Sequence, residues 1–207
     1  MALASIRVLL WDCGGVLLTN GWDRRERAAV LQQFSLDAAE FEPRHPQAND
    51  LWERDTISVE EYLQRTVFYV PRSFTPQQFV AAMQAQSIVL HAENLRLAQE
   101  LAAAGGHTLA LLNNEARVLN DYRIAAFGLK KIFSSFFSSC YAGLRKPEPA
   151  IYQRALDILQ CAPGEALFID DRNENVEAAR MLGIQAVQML SPTQLRSDLQ
   201  RLGVLAA

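Results

Sequence analysis

"RVLLWDCGGVLLT", residues 7–19, decides the fold, because an apolar run ends there in one aspartate followed closely by two glycines. A short and continuously apolar run is typical of a parallel strand covered on both faces, so we predict a first strand over residues 6–11. Asp12 then lies where that strand ends, and open α/β sheets bind their ligands at this edge. Asp12 is therefore a candidate turn residue, metal ligand or nucleophile.

From residue 91 onward, helical and strand patterns alternate along the chain. A helix that ends at Gly105–Gly106 comes first. Further strands are predicted over 107–112, 132–140, 165–170 and 184–189, and further helices over 115–127, 146–160, 173–183 and after Ser191–Pro192. This alternation predicts an α/β fold, with a Rossmann-like open parallel sheet and helices on both faces.

Residues 20–88 interrupt the series and carry helical patterns without a convincing strand. Ser58 followed by Glu61 predicts a capping box, and Thr75 before Pro76 predicts a helix start. We therefore expect an all-helical cap inserted after the first strand. The predicted domains are an α/β core, residues 1–19 and 89–207, and a helical cap, residues 20–88.

Polar residues follow three of the predicted strands, namely Asp12, Asn113–Asn114 and Asp170–Asp171. Because the carboxyl ends of parallel strands share one edge of the sheet, these residues are expected to meet there. Lys146 precedes a predicted helix and is a candidate to join them. The three carboxylates would repel one another, and a divalent cation removes that conflict.

Hard oxygen ligands favour Mg²⁺, which keeps few protein carboxylates and completes its shell with water and substrate phosphate. Gly14 and Gly15 let backbone N–H groups approach an anion closely. The metal, the lysine and such donors are the groups that stabilise a phosphoryl group in transfer. A carboxylate can then act as the nucleophile and form an aspartyl-phosphate that water hydrolyses.

The segments "LLWDCGGVLL", "LALLNNEA", "GLRKPEPAIYQRAL" and "LFIDDRNENVEAARMLG" occur in this order. They resemble the four motifs of the haloacid dehalogenase-like (HAD) hydrolase superfamily, over roughly residues 5–19 and 91–190. The resemblance is strongest to the branch with a small helical cap, which includes sugar-phosphate phosphatases and the phosphatase domain of epoxide hydrolases. It implies an enzyme with Asp12 and Lys146 as catalytic residues, Asn113, Asn114 and Gly15 as substrate-binding residues, and Asp12, Gly14, Asp170 and Asp171 as Mg²⁺ ligands.

The sequence departs from the family pattern at Gly14, where phosphatases of this family usually carry an aspartate as the general acid and base. The Gly14 carbonyl can still bind Mg²⁺, but no side chain is present there to protonate the leaving group. The loss of a positioned acid typically costs about 10²–10⁴-fold in rate. Asp23 is the nearest carboxylate in the sequence and is the candidate substitute.

Several of these candidate site residues could instead have a purely structural role. Asn113 is also compatible with an Asx turn, and Asp171–Arg172 with a helix cap and a salt bridge. The run "DRRER", residues 23–27, is typical of a solvated helix face, although Arg24 or Arg25 could face a substrate. Cys13 is expected to be a buried and inert thiol. No role is predicted for His45.

Composition limits the classes of partner. The formal net charge of −3 provides no basic excess for nucleic acid or a membrane surface, and no apolar run is long enough to span a bilayer. Three cysteines without metal-ligand spacing and an opening segment unlike a signal peptide predict a cytoplasmic protein. No pattern indicates the oligomeric state.

The sequence thus predicts a Mg²⁺-dependent phosphatase that acts on a small phosphorylated metabolite through an aspartyl-phosphate. Two alternatives stay open. One is a metal-independent 2-haloacid dehalogenase, in which the adjacent Asp170 and Asp171 would lack a counter-cation. The other is a non-catalytic phosphate-binding protein, because fold alone does not establish an activity.

Overall fold

A five-stranded parallel sheet forms the centre of the protein, as seen in a computed structural model that describes residues 5–206. The strands lie in the order β3-β2-β1-β4-β5, and every neighbouring pair is parallel. Their bounds are β1 Val8–Trp11, β2 Thr108–Asn113, β3 Ser135–Ser138, β4 Ala166–Asp170 and β5 Gln185–Gln188. The predicted Rossmann-like α/β fold is confirmed.

Helices cover both faces of this sheet. The helices of the described residues are α1 Arg24–Gln33, α2 Ala38–Phe41, α3 His45–Glu53, α4 Val59–Thr66, α5 Pro76–Ala85, α6 Ala92–Ala104, α7 Arg117–Ala126, α8 Ser139–Ala142, α9 Pro149–Leu159, α10 Asn173–Met181 and α11 Pro192–Arg201. Side chains alternate across β1, so Leu9 joins a core with α6 and α11, whereas Leu10 joins a second core with α9 and α10. No helix within residues 5–206 combines the length and hydropathy needed to span a bilayer.

The segment 20–88, called the insert below, contains α1 to α5 and no strand. Its own apolar core includes Trp22, Tyr62 and Phe79. Ala116 and Leu119, at the start of α7, belong to the same cluster. Burial of apolar surface between α7 and the insert therefore holds the insert against the sheet domain.

The chain enters and leaves the insert side by side. Leu18 pairs with Val89 in an isolated bridge. The hydroxyl of Thr19 donates to the Gln86 carbonyl at 2.8 Å and accepts from the Ile88 N–H at 3.1 Å. These bonds join the two linkers and orient the residues that follow Thr19.

One predicted strand and one predicted helix are shorter in the structure than the sequence indicated. The strand predicted over 132–140 covers only Ser135–Ser138, because Ser139–Ala142 turn into a short helix that ends at Gly143. The helix predicted over 146–160 begins at Pro149, where the missing N–H of proline at the first helical position costs nothing. Lys146 therefore lies in the preceding loop.

The predicted capping box at Ser58 is only half formed. The Ser58 hydroxyl accepts from the Glu61 N–H at 3.2 Å. The Glu61 carboxylate turns instead to Arg65, one helical turn later, at 2.5 Å. An i,i+4 ion pair of this kind competes with the reciprocal cap. At Thr75, both halves of a capping box with Gln78 are present.

Candidate active site

Three carboxylates meet at the carboxyl edge of the sheet. Asp12 follows β1, Asp170 is the last residue of β4, and Asp171 comes directly after it. Because Trp11 pairs with Ile169 in the parallel register, Asp12 and Asp170 are neighbours across the two strands. One carboxylate oxygen from each of the three aspartates lies within 4.8 Å of the others.

Lys146 brings positive charge to this cluster. Its Nζ lies 2.9 Å from Asp12 Oδ1 and 2.6 Å from Asp170 Oδ2, and the side chain is buried. Asn114 holds the lysine backbone from both sides, since its amide donates to the Lys146 carbonyl and accepts from the Lys146 N–H, both at 2.8 Å. Asn114 therefore positions Lys146.

Burial dominates the electrostatics of the cluster. It raises the pKa of Asp12 to about 7, with Lys146 opposing the shift and the two neighbouring aspartates adding to it. Burial, followed by the charge of Asp170, also raises the pKa of Asp171. Burial alone would lower the pKa of Lys146, but the charges of Asp12 and Asp170 outweigh it and raise that pKa. The cluster thus holds more negative charge than one lysine neutralises.

The oxygens of Asp170 are already engaged within the protein. Besides Lys146, they accept from the Arg172 N–H at 2.8 Å and from the Asn175 amide at 3.0 Å. By contrast, Asp171 Oδ1 is buried and has no hydrogen-bond partner within the described residues. A buried oxygen of this kind is costly unless something binds it. The cluster therefore fits a divalent cation held chiefly by Asp12 and Asp171, with Asp170 acting mainly on Lys146.

Gly15 makes room for the Asp171 carboxylate because it has no side chain, and its N–H is bonded within the protein. A Cβ at this position would lie 2.1 Å from Asp171 Oδ2, and the residue has a φ of +70°. Its N–H donates to the Leu18 carbonyl at 2.8 Å, so the N–H predicted to bind substrate is occupied. Glycine is required here because only a residue without Cβ allows Asp171 to come this close.

Asn113 was predicted to contact the substrate, but the structure turns its side chain elsewhere. Its amide donates to Asn120 Oδ1 at 3.1 Å and its oxygen accepts from the Ser138 hydroxyl at 2.7 Å. The residue is buried and does not line the cavity described next. These bonds join the ends of β2, β3 and α7, which favours the structural interpretation of Asn113.

A cavity of about 330 Å³ opens above the cluster, between the sheet edge and the insert. Of the predicted site residues, Asp12, Gly14, Asn114 and Lys146 line it, whereas Gly15, Asp170 and Asp171 do not. The insert contributes residues that sequence reasoning missed, among them Asn20, Trp22, Arg27, His45, Asn49 and Glu53. The sheet domain adds Glu115, Arg123 and Arg145.

Glu115 and Arg123 form a buried ion pair in the wall of this cavity, with 2.5 Å between Oε2 and Nη1. Burial raises the pKa of Glu115 to about 7, against the opposing charge of Arg123. Arg123 also donates to the Thr19 carbonyl at 2.5 Å. A Cβ at Gly21 would lie 2.2 Å from Glu115 Oε2, so glycine is needed where the chain passes over the pair.

His45 presents a neutral ring in the opposite wall. Trp22 Nε1, which can only donate, bonds the Tyr62 hydroxyl at 2.6 Å, and that hydroxyl lies 2.8 Å from His45 Nδ1. Burial, with the nearby Arg27, lowers the pKa of His45 to about 4. Tyr62 therefore donates to Nδ1, and the imidazole proton lies on Nε2. No motif or residue spacing in the sequence indicated that His45 would line the cavity.

Ion pairs join the insert to the sheet domain around the cavity mouth. Asp50 Oδ1 lies 2.6 Å from Arg145 Nη1, Asp55 pairs with Arg117 at 2.6 Å, and Arg54 pairs with Glu148. These residues of the insert lie in α3 or directly after it. Arg145 and Glu148 flank Lys146 on the loop before α9, so their two pairs hold α3 close to it, whereas the Asp55–Arg117 pair joins the insert to α7.

Asp23, the predicted substitute acid, lies in the cavity wall but its carboxylate is occupied. One oxygen accepts from the Arg24 N–H at 2.7 Å, and the other lies 2.7 Å from Arg172 Nη2. Arg24 and Arg25 are exposed and do not line the cavity, whereas Arg27 is buried and does. Cys13 is buried and burial raises the pKa of its thiol to about 11, which agrees with an inert side chain.

These features define an α/β protein whose site suits a divalent cation and an anionic substrate. The chain belongs to the haloacid dehalogenase-like hydrolase family, because the model of that family matches residues 6–183. The resemblance stated from the motifs is thereby confirmed, and the chain is an enzyme of this family.

Two curated relatives are similar over most of the chain. The bifunctional epoxide hydrolase 2 of Mus musculus is 28% identical over 95% of this chain, and flavin mononucleotide hydrolase 1 of Arabidopsis thaliana is 30% identical over 79%. This chain spans 39% of the mouse protein and 65% of the Arabidopsis protein.

Solved structures share the fold. A HAD family enzyme from Bacteroides thetaiotaomicron superposes with a TM-score of 0.77 at 22% identity, over 89% of this chain and 93% of that one. The same enzyme has been solved as a complex with magnesium and inorganic phosphate, with a TM-score of 0.72 over 89% of this chain and 94% of that one, at 21% identity.

Proposed function

We propose that this protein is a Mg²⁺-dependent phosphatase that hydrolyses the phosphoric monoester of a small metabolite. The observation that carries the proposal is the convergence of Asp12, Asp171 and Lys146 below one polar cavity. A flavin mononucleotide hydrolase among the relatives, and a magnesium and phosphate complex among the fold neighbours, support this choice of chemistry.

Asp12 is the proposed nucleophile. Its Oδ1 accepts from the Cys13 N–H at 2.7 Å and from Lys146, which fixes the carboxylate and leaves Oδ2 to attack phosphorus. The P–O bond to the leaving group breaks as the aspartyl-phosphate forms. Water then hydrolyses the aspartyl-phosphate and regenerates the Asp12 carboxylate.

Lys146 has two proposed tasks. It opposes the upward shift of the Asp12 pKa and so favours the ionised nucleophile, and it faces the negative charge of the phosphoryl group in the transition state. Asp170 and Asn114 hold Lys146 for both tasks, through the side chain and the backbone respectively. The two adjacent aspartates therefore have different proposed roles. Asp170 orients Lys146, and Asp171 is available to bind a cation.

Asp12, Asp171 and the Gly14 carbonyl are the groups that would hold Mg²⁺, with Asp170 in reach. When bound, Mg²⁺ supplies positive charge that neutralises the carboxylates and the oxygens of the phosphoryl group. The unpartnered Asp171 Oδ1 is the feature of this chain that fits such an ion.

We further propose that the insert acts as a cap domain over a core of residues 1–19 and 89–207. Its Asn49 and Glu53 line the cavity on α3, and its Arg27 and His45 line it beside them. Asn49 Oδ1 is buried without a partner in the described residues, so a hydroxyl of the leaving group would satisfy it. A small hydroxylated metabolite is therefore the proposed substrate.

The test uses an activated aryl phosphate with added Mg²⁺, and the same reaction with a chelator. We expect phosphate release that needs the metal and that falls to background in Asp12→Asn. Halide release from a 2-haloacid in the presence of chelator would instead support the dehalogenase alternative. Binding of Mg²⁺ and a phosphate mimic without turnover of any ester would support the non-catalytic alternative.

A further inference from the structure

Gly14 leaves the proposed reaction without a side chain beside the leaving group, and the structure shows what fills that space. An ideal Cβ on Gly14 would lie 2.8 Å from Asn20 Oδ1 and 3.3 Å from Asn20 Cα. Contacts under 3.0 Å essentially never occur for real Cβ atoms, so the Asn20 side chain would have to shift to make room for a side chain at position 14. Asn20 reaches this place from the first residue of the insert.

The side chain of Asn20 faces the site and is not used elsewhere. It lines the cavity together with Asp12 and Lys146. Its amide takes part in none of the hydrogen bonds formed among residues 5–206. Both amide N–H groups are therefore free to donate to an oxygen in the cavity.

The backbone on either side of Asn20 is held firmly. Thr19 bonds Arg123 through its carbonyl and Gln86 through its hydroxyl, at 2.5 and 2.8 Å. Gly21 passes directly over the Glu115–Arg123 ion pair. A side chain between two such anchors keeps its position when a substrate binds, which is the condition for a preorganised donor.

The two carboxylates that could assist the leaving group in place of a side chain at position 14 already have partners within the protein. Asp23 caps α1 and pairs with Arg172. Glu115 bonds Arg123 through Oε2 and the Ala116 N–H through Oε1. Of these three side chains, Asn20 is the one that comes next to Gly14, through Oδ1, and whose amide nitrogen has no partner within the described residues.

We propose that Asn20 is a catalytic residue: its Oδ1 fills the space beside Gly14, and its amide N–H, on the same side chain, donates a hydrogen bond to the leaving-group oxygen in the cavity. The inference rests on the proposed phosphatase function. As the P–O bond breaks, the electron pair passes to the leaving oxygen and the amide N–H stabilises that charge. The amide keeps its proton, so the alkoxide takes a proton from water and the product is the free alcohol.

This arrangement makes the rate depend on the leaving group in a specific way. An aryloxide carries its charge well without help, whereas an alkoxide depends on the donor. Since a hydrogen bond to a charged group corresponds to about 10- to 100-fold in rate, Asn20→Ala should lower kcat/KM for an alkyl phosphate by that factor. The effect on p-nitrophenyl phosphate should be less than about 3-fold.

Asn20→Asp is the second variant, because it keeps the shape of the side chain and restores a group that can donate when protonated. We expect its alkyl-to-aryl rate ratio to exceed that of Asn20→Ala. Thr19→Ala is the matched control, since it perturbs the same linker without removing the amide and should change both esters by the same factor.

An alkyl-to-aryl ratio in Asn20→Ala equal to that of the wild type, or a ratio in Asn20→Asp no higher than in Asn20→Ala, overturns the inference alone. A ratio that falls equally in Thr19→Ala overturns it too, because a general disturbance of the linker would then explain the effect. If the wild-type protein releases phosphate from no ester with Mg²⁺, the proposed function fails and takes this inference with it.

Discussion

Replacement of Gly15 by alanine tests the proposed metal site through a single methyl group. The Cβ would lie 2.1 Å from Asp171 Oδ2 and 2.4 Å from its Cγ, so the carboxylate must retreat by about 1 Å. The residue also has a φ of +70°, where a side chain is strained by roughly 1–2 kcal/mol. Gly15→Ala therefore combines backbone strain with displacement of the proposed metal ligand.

Gly105→Ala separates these two effects. Gly105 has the same φ of +70°, and a Cβ there meets nothing within 4 Å. We expect this control to lose about 1–2 kcal/mol in the free energy of unfolding from backbone strain alone. Gly15→Ala should lose about 2–5 kcal/mol, because overpacking against Asp171 adds about 1–3 kcal/mol.

Urea denaturation monitored by circular dichroism measures both losses, and calorimetric titration with Mg²⁺ measures the ligand. We expect Mg²⁺ affinity to fall about 10- to 100-fold in Gly15→Ala, the range seen when support for a metal ligand is lost, and to stay at the wild-type value in Gly105→Ala. Equal unfolding free energies for the two variants, with unchanged Mg²⁺ binding in Gly15→Ala, would refute the reasoning.

Three further predictions concern the charges around the site. Lys146→Met should lower the free energy of unfolding at pH 7 by about 3–5 kcal/mol, because two buried carboxylates lose their partner, and urea denaturation that shows no loss would contradict the buried ion pairs. His45 has a pKa near 4 in the folded state against an ordinary 6.5, so unfolding takes up a proton between these values and stability should fall by about 3 kcal/mol as pH drops from 6.5 to 4. His45→Gln should flatten that slope in denaturation curves measured across the range, and an unchanged slope would count against a buried neutral ring. Glu148→Gln, which removes the partly exposed partner of Arg54, should cost less than about 1 kcal/mol, and the cost should shrink further at about 0.5 M salt, a trend that salt-independent curves would exclude.

The strands and the edge of the sheet that carries the site follow from local patterns. The apolar run before Asp12 and the one before Asp170 predict buried strands, and parallel strands place both carboxylates at one edge. Lys146 was predicted to join them, and its Nζ bonds both. The positions of the two carboxylates could be predicted because the end of a strand is a property of a short segment, whereas Lys146 lies in a loop and its contacts with both depend on packing.

Asn113 and Gly15 make hydrogen bonds that the motifs did not predict. Both stand where the motifs place substrate contacts, yet Asn113 bonds Asn120 and Ser138, and the Gly15 N–H bonds Leu18. Their partners lie on other elements or across a turn. A residue type at a strand end thus indicates a neighbourhood, whereas the hydrogen-bond partners depend on how the neighbouring elements pack.

Local patterns in the sequence are enough to predict the parallel α/β sheet, the carboxylates at its edge and a helical insert after the first strand. The insert residues that face the site became known only from the packing of separate elements, as the contacts of Asn20 with Gly14, His45 with Tyr62 and Asp50 with Arg145 illustrate. The physical reason is that secondary structure depends on local backbone and burial preferences. The walls of a cavity depend on the angle and distance at which separate elements pack, and no local pattern encodes these.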